Sequence, residues 1–170
     1  KQFGVAIEKL PAVADMLIDM KIAIEAGRAL LYDTCRIVDL EIAYDRALKN
    51  PPEDNAKAKQ LKQKLRKYKR LATMLTPMSK YYCSEMCNRV SYDSIQVLGG
   101  SGFMRDYACE RHARDARITT IYEGTSQLQI VAAVRGVCSG SCIKLLEEKA
   151  SEKYDDEFRD LLDILADGTE

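Results

Sequence analysis

Apolar residues recur every three or four positions through most of this chain and alternate with polar ones in few places. That period argues for helices throughout. The longest stripe is Val13, Leu17, Met20, Ile24, Gly27, Leu31, Cys35, Val38 and Ile42. It predicts one helix starting near Leu10 or Pro11, since proline suits a first helical turn, and facing a bundle. Asn50-Pro51-Pro52 should end it near Lys49. Roughly forty residues at 1.5 Å each span about 60 Å. Gly27, inside the stripe, would let another helix cross closely.

A second helix is expected from about Glu53 to Leu75, with Leu61, Leu65, Tyr68, Leu71 and Leu75 on its apolar face. Pro77 either kinks it or opens a third helix that reaches Leu98. The run Gly99 to Gly102 breaks that stretch. A short helix should cover Tyr107 to Ala116. Another follows Thr125, with Leu128, Val131, Val134 and Cys138 on its apolar side, and fades near Gly140. This helix and the first stripe should build one core. Further helix follows Gly140, and Phe158, Leu161, Leu162 and Leu165 make the tail from Asp155 to Ala166 amphipathic. The fold class is all-α, an up-and-down helical bundle with an extra C-terminal helix. Residues 1–138 form the bundle and 139–170 the extension.

Composition changes this picture little. The 170 residues fit one domain with its own core. No apolar run is long enough to span a membrane. Net charge is zero, so nothing steers the whole chain toward nucleic acid. Locally, Lys57 to Arg70 carries eight basic residues and no acidic one, while the tail from Glu147 is mostly acidic. Such blocks are usually solvated helix faces. The six cysteines include two i, i+4 pairs, Cys83/Cys87 and Cys138/Cys142, each expected on one helix face. With His112 the only histidine and no tighter cysteine spacing, no metal site is assigned. Buried, reduced thiols are expected instead.

The segment ending in Tyr122-Glu123-Gly124-Thr125 carries the candidate chemistry. It places a carboxylate beside a glycine at the entry to an apolar helix. Desolvation there would raise the carboxylate's pKa toward a range useful for proton abstraction. Gly124 allows a ligand close to the backbone, and Thr125 suits the N-cap of the next helix. Taken alone, a Glu before Gly is more often a helix-end residue, and a Gly-Gly-x-Gly run is more often only a loop.

Three segments shift that balance: QVLGGSGF at 96–103, ERHARDARI at 110–118 and IYEGTSQLQ at 121–129. Together with Gln2-Phe3-Gly4, Leu17 to Met20 and Ala26 to Leu30, they resemble the C-terminal helical domain of the acyl-CoA dehydrogenases in order and spacing. The resemblance runs from Gln2 to about Arg135 and weakens between Asn50 and Leu75. It implies that Glu123 removes the α-proton of an acyl-CoA thioester while a hydride leaves the β-carbon for FAD. The backbone N–H of Glu123 would help polarise the thioester carbonyl. It further implies FAD contacts from Gln2 and Phe3, from Gln96, Val97, Leu98, Gly99 and Gly100 reaching a neighbouring subunit, and from Thr125, Ser126 and Gln127. Tyr122, Gly124 and Arg135 would meet the substrate, Arg135 near its CoA part. Arg111, Arg114, Asp115 and Arg117 read as structural clamps on the Glu123 loop.

The implied partners are the acyl-CoA, further copies in a dimer or tetramer, and an electron-transfer flavoprotein. Fatty acid metabolism is the implied setting, in a bacterial cytoplasm or a mitochondrial matrix. The chain opens on Lys1 within a motif, so it reads as a piece of a longer protein whose N-terminal α and middle β domains lie outside it; alone it should be inactive. There are departures. Family members commonly have Phe-Gln where this chain has Leu10-Pro11, which removes one expected FAD contact. The longer Asn50–Leu75 stretch and the helix after Gly140 look like the larger members. Two rival readings remain open: a DNA-associated flavoprotein domain of the alkylation response, suggested by the basic block, and a domain that mainly holds an oligomer together.

Overall fold

The computed structural model describes residues 1–150. Among them are a 3-10 turn at Ile7–Lys9 and the helices α1 Pro11–Lys49, α2 Asn55–Leu98, α3 Gly100–Phe103, α4 Cys109–Ile118, α5 Ser126–Cys138 and α6 Ser141–Ala150. No strand occurs among these residues beyond an isolated bridge between Gln2 and Val5. The all-α expectation holds. The amphipathic tail expected from Asp155 to Ala166 lies outside the described residues.

α1 begins at the expected proline and ends just before Asn50-Pro51-Pro52. At Pro77, where the sequence allows either a kink or a new helix, the one helix α2 of 44 residues runs through the proline. Proline has no N–H to give the carbonyl four residues back, yet flanking turns on both sides hold the helix together. Its start falls at Asp54, whose Oδ1 accepts the Ala56 N–H at 2.8 Å and the Lys57 N–H at 3.4 Å, an N-cap. α3 was not foreseen, and α4 sits two residues later than predicted.

The described residues cluster into two compact units: 1–36 with 77–130, and 37–76 with 131–150. In the second unit the buried side chains are chiefly apolar: Ile37, Leu71, Ala72, Met74 and Leu75. Ile37 and Met74 are each only 1% exposed. α5 approaches α2 closely here. A Cβ added at Gly136 would stand 2.6 Å from the Met74 Cβ, so glycine is what permits the contact. Tyr44 and Tyr68 stack with ring centroids 5.4 Å apart, and Lys64 and Lys67 lie over their faces. Lys67 also pairs with Glu148 at 2.6 Å.

In the first unit the buried set is mostly small and polar: Thr34, Ser79, Ser84, Ser91, Thr120 and Ser126, with Gly27, Gly102 and Ala116. Several hydroxyls bond to their own helix backbone, as Thr34 does to the Leu30 carbonyl and Ser91 to the Cys87 carbonyl. Gly27 allows the expected close crossing, with Tyr82 and Met86 of α2 against it. The Tyr82 hydroxyl donates to the Ala23 carbonyl at 3.2 Å.

Three sequence expectations are corrected. Leu31, Cys35 and Ile42 are exposed, while Leu30, Thr34 and Ile37 turn inward. The apolar set was read one residue off because apolar side chains lie on both flanks of α1. Leu128, Val131, Val134 and Cys138 are also exposed, Leu128 by 62%, so that face of α5 adds nothing to a common core. Small Gly136 makes the close contact in its place. None of the cysteines is fully buried, and Cys138 and Cys142 stand on different helices because the turn at Gly140 separates α5 from α6.

Candidate active site

Glu123 stands in the turn that joins α4 to α5 and is exposed. The desolvation expected for its carboxylate is not supplied within these residues. Its backbone is unusual, with φ of 52°, the left-handed region that side chains with a Cβ avoid. Among the described residues other than glycine, only Phe3, at 51°, shares it. Both are residues that the sequence assigned to the site. Strain of about 1–3 kcal/mol persists only where neighbours hold it, and such residues cluster at functional sites.

The neighbours that hold Glu123 are plain. The Lys80 ammonium on α2 donates to the carbonyls of Thr119 and Gly124 and lies 5.2 Å from the centre of the Tyr122 ring. The Gln129 amide donates to the Glu123 carbonyl at 3.0 Å and to the Gly124 carbonyl at 3.4 Å. Gly124 has φ of 94°, and a Cβ there would fall 2.7 Å from the Gln129 amide nitrogen. Conformation requires glycine at that position, and a Cβ would also displace the Gln129 amide. Asn88 ties α2 to the end of α4 by donating to the Ala116 carbonyl at 2.9 Å. The turn is therefore anchored from one face of α2 and from the first turn of α5.

Thr125 takes the N-cap position, its carbonyl accepting the Gln129 N–H at 3.1 Å. Ser126 is buried and donates to Glu85 Oε1. These two residues and Gln127 line a cavity of about 320 Å³ together with Glu85, Asn88, Arg117 and Thr120. Hydroxyls, amides and a guanidinium around one opening suit a polar, hydrogen-bonding ligand. The structure thus brings the Thr125–Gln127 segment together with its surroundings, but joins it by no hydrogen bond to the other assigned segments. Gln2 and Val5 exchange two backbone bonds around Phe3-Gly4, a tight turn in which Phe3 is 86% exposed. Gln96, Leu98, Gly99 and Gly100 are exposed at the end of α2, and Val97 is half-buried. Arg135 belongs to the second unit and lines a groove of about 510 Å³ with Lys69, Arg70 and Thr73.

Of the four residues read as clamps, Arg117 alone serves, donating to the Thr120 hydroxyl. Arg111, Arg114 and Asp115 are exposed. The true clamps, Lys80, Asn88 and Gln129, were missed, as was Glu85. A signal existed: Lys80, Ser84, Asn88 and Ser91 repeat at helical spacing, a polar stripe on one face of α2.

Comparison with known proteins gives this geometry its context. Residues 1–137 match the family described as "Acyl-CoA dehydrogenase, C-terminal domain". The caffeyl-CoA reductase-Etf complex subunit CarC of Acetobacterium woodii is 34% identical over 76% of this chain. The mitochondrial short-chain specific acyl-CoA dehydrogenase of Sus scrofa is 33% identical over the same share, 76%. The chain spans 27% and 25% of those two proteins, about a quarter of each. Among solved structures, one described as "Electron transferring flavoprotein of Acidaminococcus fermentans: Towards a mechanism of flavin-based electron bifurcation" contains a chain with TM-score 0.60 and 29% identity, covering 81% of this chain and 29% of that one. With a family match across most of its length, and with the strained glutamate and its anchored turn in place, this chain belongs to the acyl-CoA dehydrogenase family and represents its C-terminal helical domain.

Proposed function

We propose that this chain supplies the catalytic base of an FAD-dependent enzyme that dehydrogenates an acyl-CoA thioester between its α- and β-carbons. The observation that supports it most is the Glu123 turn, strained at the carboxylate residue itself and pinned by Lys80 and Gln129. A base must be held in reach of one particular C–H, and a pinned turn does this better than a free one. The Glu123 carboxylate takes the α-proton, and its own N–H donates to the thioester carbonyl, stabilising the charge that develops there. Its exposure in this chain fits a pocket closed by parts of a longer protein, where burial would supply the missing desolvation.

The cavity beside Thr125, Ser126 and Gln127 suits the polar portion of a dinucleotide, since Thr125, Gln127 and Arg117 can donate to phosphate and sugar oxygens while Glu85 is occupied by the Ser126 hydroxyl. When bound, FAD would accept the hydride that leaves the β-carbon. Gln2, Phe3 and Gln96 through Gly100 are exposed and available to a second subunit. The exposed apolar face of α5, Leu128, Val131 and Val134, favours self-association in a dimer or tetramer. An electron-transfer flavoprotein is the proposed electron acceptor, in keeping with the descriptions of the Acetobacterium and Acidaminococcus proteins.

The test is Glu123→Gln in the full-length protein. The variant should keep its flavin absorbance and still bind acyl-CoA, yet lose flavin bleaching by on the order of a hundred-fold or more, since an amide cannot accept the proton. Bleaching at the parent rate across a panel of acyl-CoAs would remove Glu123 from this role.

A further inference from the structure

Within the second unit, α2 and the α5–α6 turn enclose a cavity of about 410 Å³ whose lining is strongly cationic. Arg66, Lys67, Arg70 and Lys144 line it, against a single carboxylate, Glu148. Lys67 sits at 2.6 and 2.7 Å from the two oxygens of that carboxylate and so neutralises it. Among the described residues, no ion pair occupies Arg66, Arg70 or Lys144. Cations gathered around one concavity repel one another, and an anion between them relieves that.

The donors are of the right kind and in the right places. Arg66 and Arg70 are four residues apart on α2 and therefore share a face. Each presents a planar fork of N–H groups that matches the oxygens of a phosphoryl group. Lys144 comes from α6, on the other wall. The turn Ser139-Gly140-Ser141 completes the lining, with the two serine hydroxyls 2.8 Å apart. Behind it, the first-turn N–H groups of the ten-residue helix α6 have no partners within the helix. The volume exceeds that of a single anion and falls in the ordinary range for small-ligand clefts.

We propose that this cavity binds a phosphoryl-bearing ligand, its dianionic phosphate held by Arg66, Arg70 and Lys144 at the α5–α6 turn. The site shares no residue with the Glu123 turn, and half its walls come from residues beyond the family match at 137. A free phosphorylated small molecule and a phosphate-bearing lipid headgroup offer the same chemistry, and the assay separates them.

The experiment is isothermal titration of the full-length protein with inorganic pyrophosphate, beside co-sedimentation with phosphatidylcholine vesicles made with and without phosphatidic acid. Two double variants accompany it. R66A with K144A removes cations from the cavity; K57A with K59A removes the same charge from α2 outside it. The cavity variant should weaken binding about tenfold or more, while the control stays within about twofold of the parent. Pyrophosphate binding supports a soluble ligand. Sedimentation with phosphatidic acid vesicles alone, lost in the cavity variant, supports a headgroup. No binding to either probe, or equal losses in both variants, would overturn the site. Duplex DNA bound more tightly than either probe and weakened equally by both variants would overturn it in favour of a general cationic helix face. Circular dichroism of the variants checks that any loss is local.

Discussion

The two compact units draw on the same two long helices, α1 and α2, and on the shorter α5, but bury their side chains by different means. The second seals apolar side chains, with Ile37 and Met74 almost wholly enclosed. The first packs small hydroxyl residues and glycine and closes its connections with polar bonds from α2 to the α4–α5 turn. The difference follows from what each must hold. Non-directional apolar burial stabilises a unit but fixes no loop in a chosen conformation. A turn with a left-handed glutamate needs directional anchors at its own carbonyls, and Lys80 and Gln129 supply them while Asn88 holds the end of α4. Small side chains in that region let the helices come near enough for those bonds to form.

The comparison can be broken most directly at Met74. Met74→Ala should cost about 2–5 kcal/mol in chemical denaturation, through lost burial and the cavity left behind. Gly136→Ala should destabilise by about 1–3 kcal/mol on its own, because its Cβ would stand 2.6 Å from the Met74 Cβ, and the clash should persist in the Met74→Ala background, since alanine keeps that Cβ. A Gly136→Ala variant as stable as the parent would show that the two helices do not meet there.

In the first unit, Asn88→Leu should cost about 1 kcal/mol, since the Ala116 carbonyl loses one donor and keeps the Thr119 N–H and hydroxyl. A variant as stable as the parent would show the polar bonds to be incidental. Lys80→Met keeps the side-chain length and removes the charge. We expect about 1 kcal/mol of stability lost. In the full-length protein, its larger effect should fall on kcat with KM little changed, and Lys80→Arg should restore part of it. Parent kcat in Lys80→Met would show that the turn keeps its geometry without this anchor.

The smallest effect is chemical. Burial pushes the Cys142 thiol above its ordinary range, so less of it is thiolate at any given pH, and the thiolate is the reactive form. Cys138, four residues earlier, is exposed. At about pH 8, alkylation followed by peptide mass mapping should label Cys138 several-fold faster than Cys142. Because the raised pKa favours the neutral thiol in the folded state, this group's stabilising contribution is present below the unfolded pKa and fades as pH rises through the folded one. Equal labelling rates would mean that the turn at Gly140 does not shelter α6.

Sequence alone determined the helical class, the span of α1, the break at Gly99, the close crossing at Gly27 and the family to which its motifs belong. Each rests on a local rule: a period of 3.6, a proline pair after Lys49, a glycine in a stripe, or a motif whose residues lie together in the chain. Tertiary structure decided the rest. It carried α2 through Pro77 as one helix, and it chose Leu30, Thr34 and Ile37 over their apolar neighbours on α1. It turned the apolar side of α5 outward, because the contact with Met74 admits only glycine. It also recruited Lys80 and Asn88, some forty and thirty residues from their acceptors, to pin the turn that carries Glu123. A sequence displays which side chains could donate; which carbonyls lie within about 3 Å of them is settled only when helices pack.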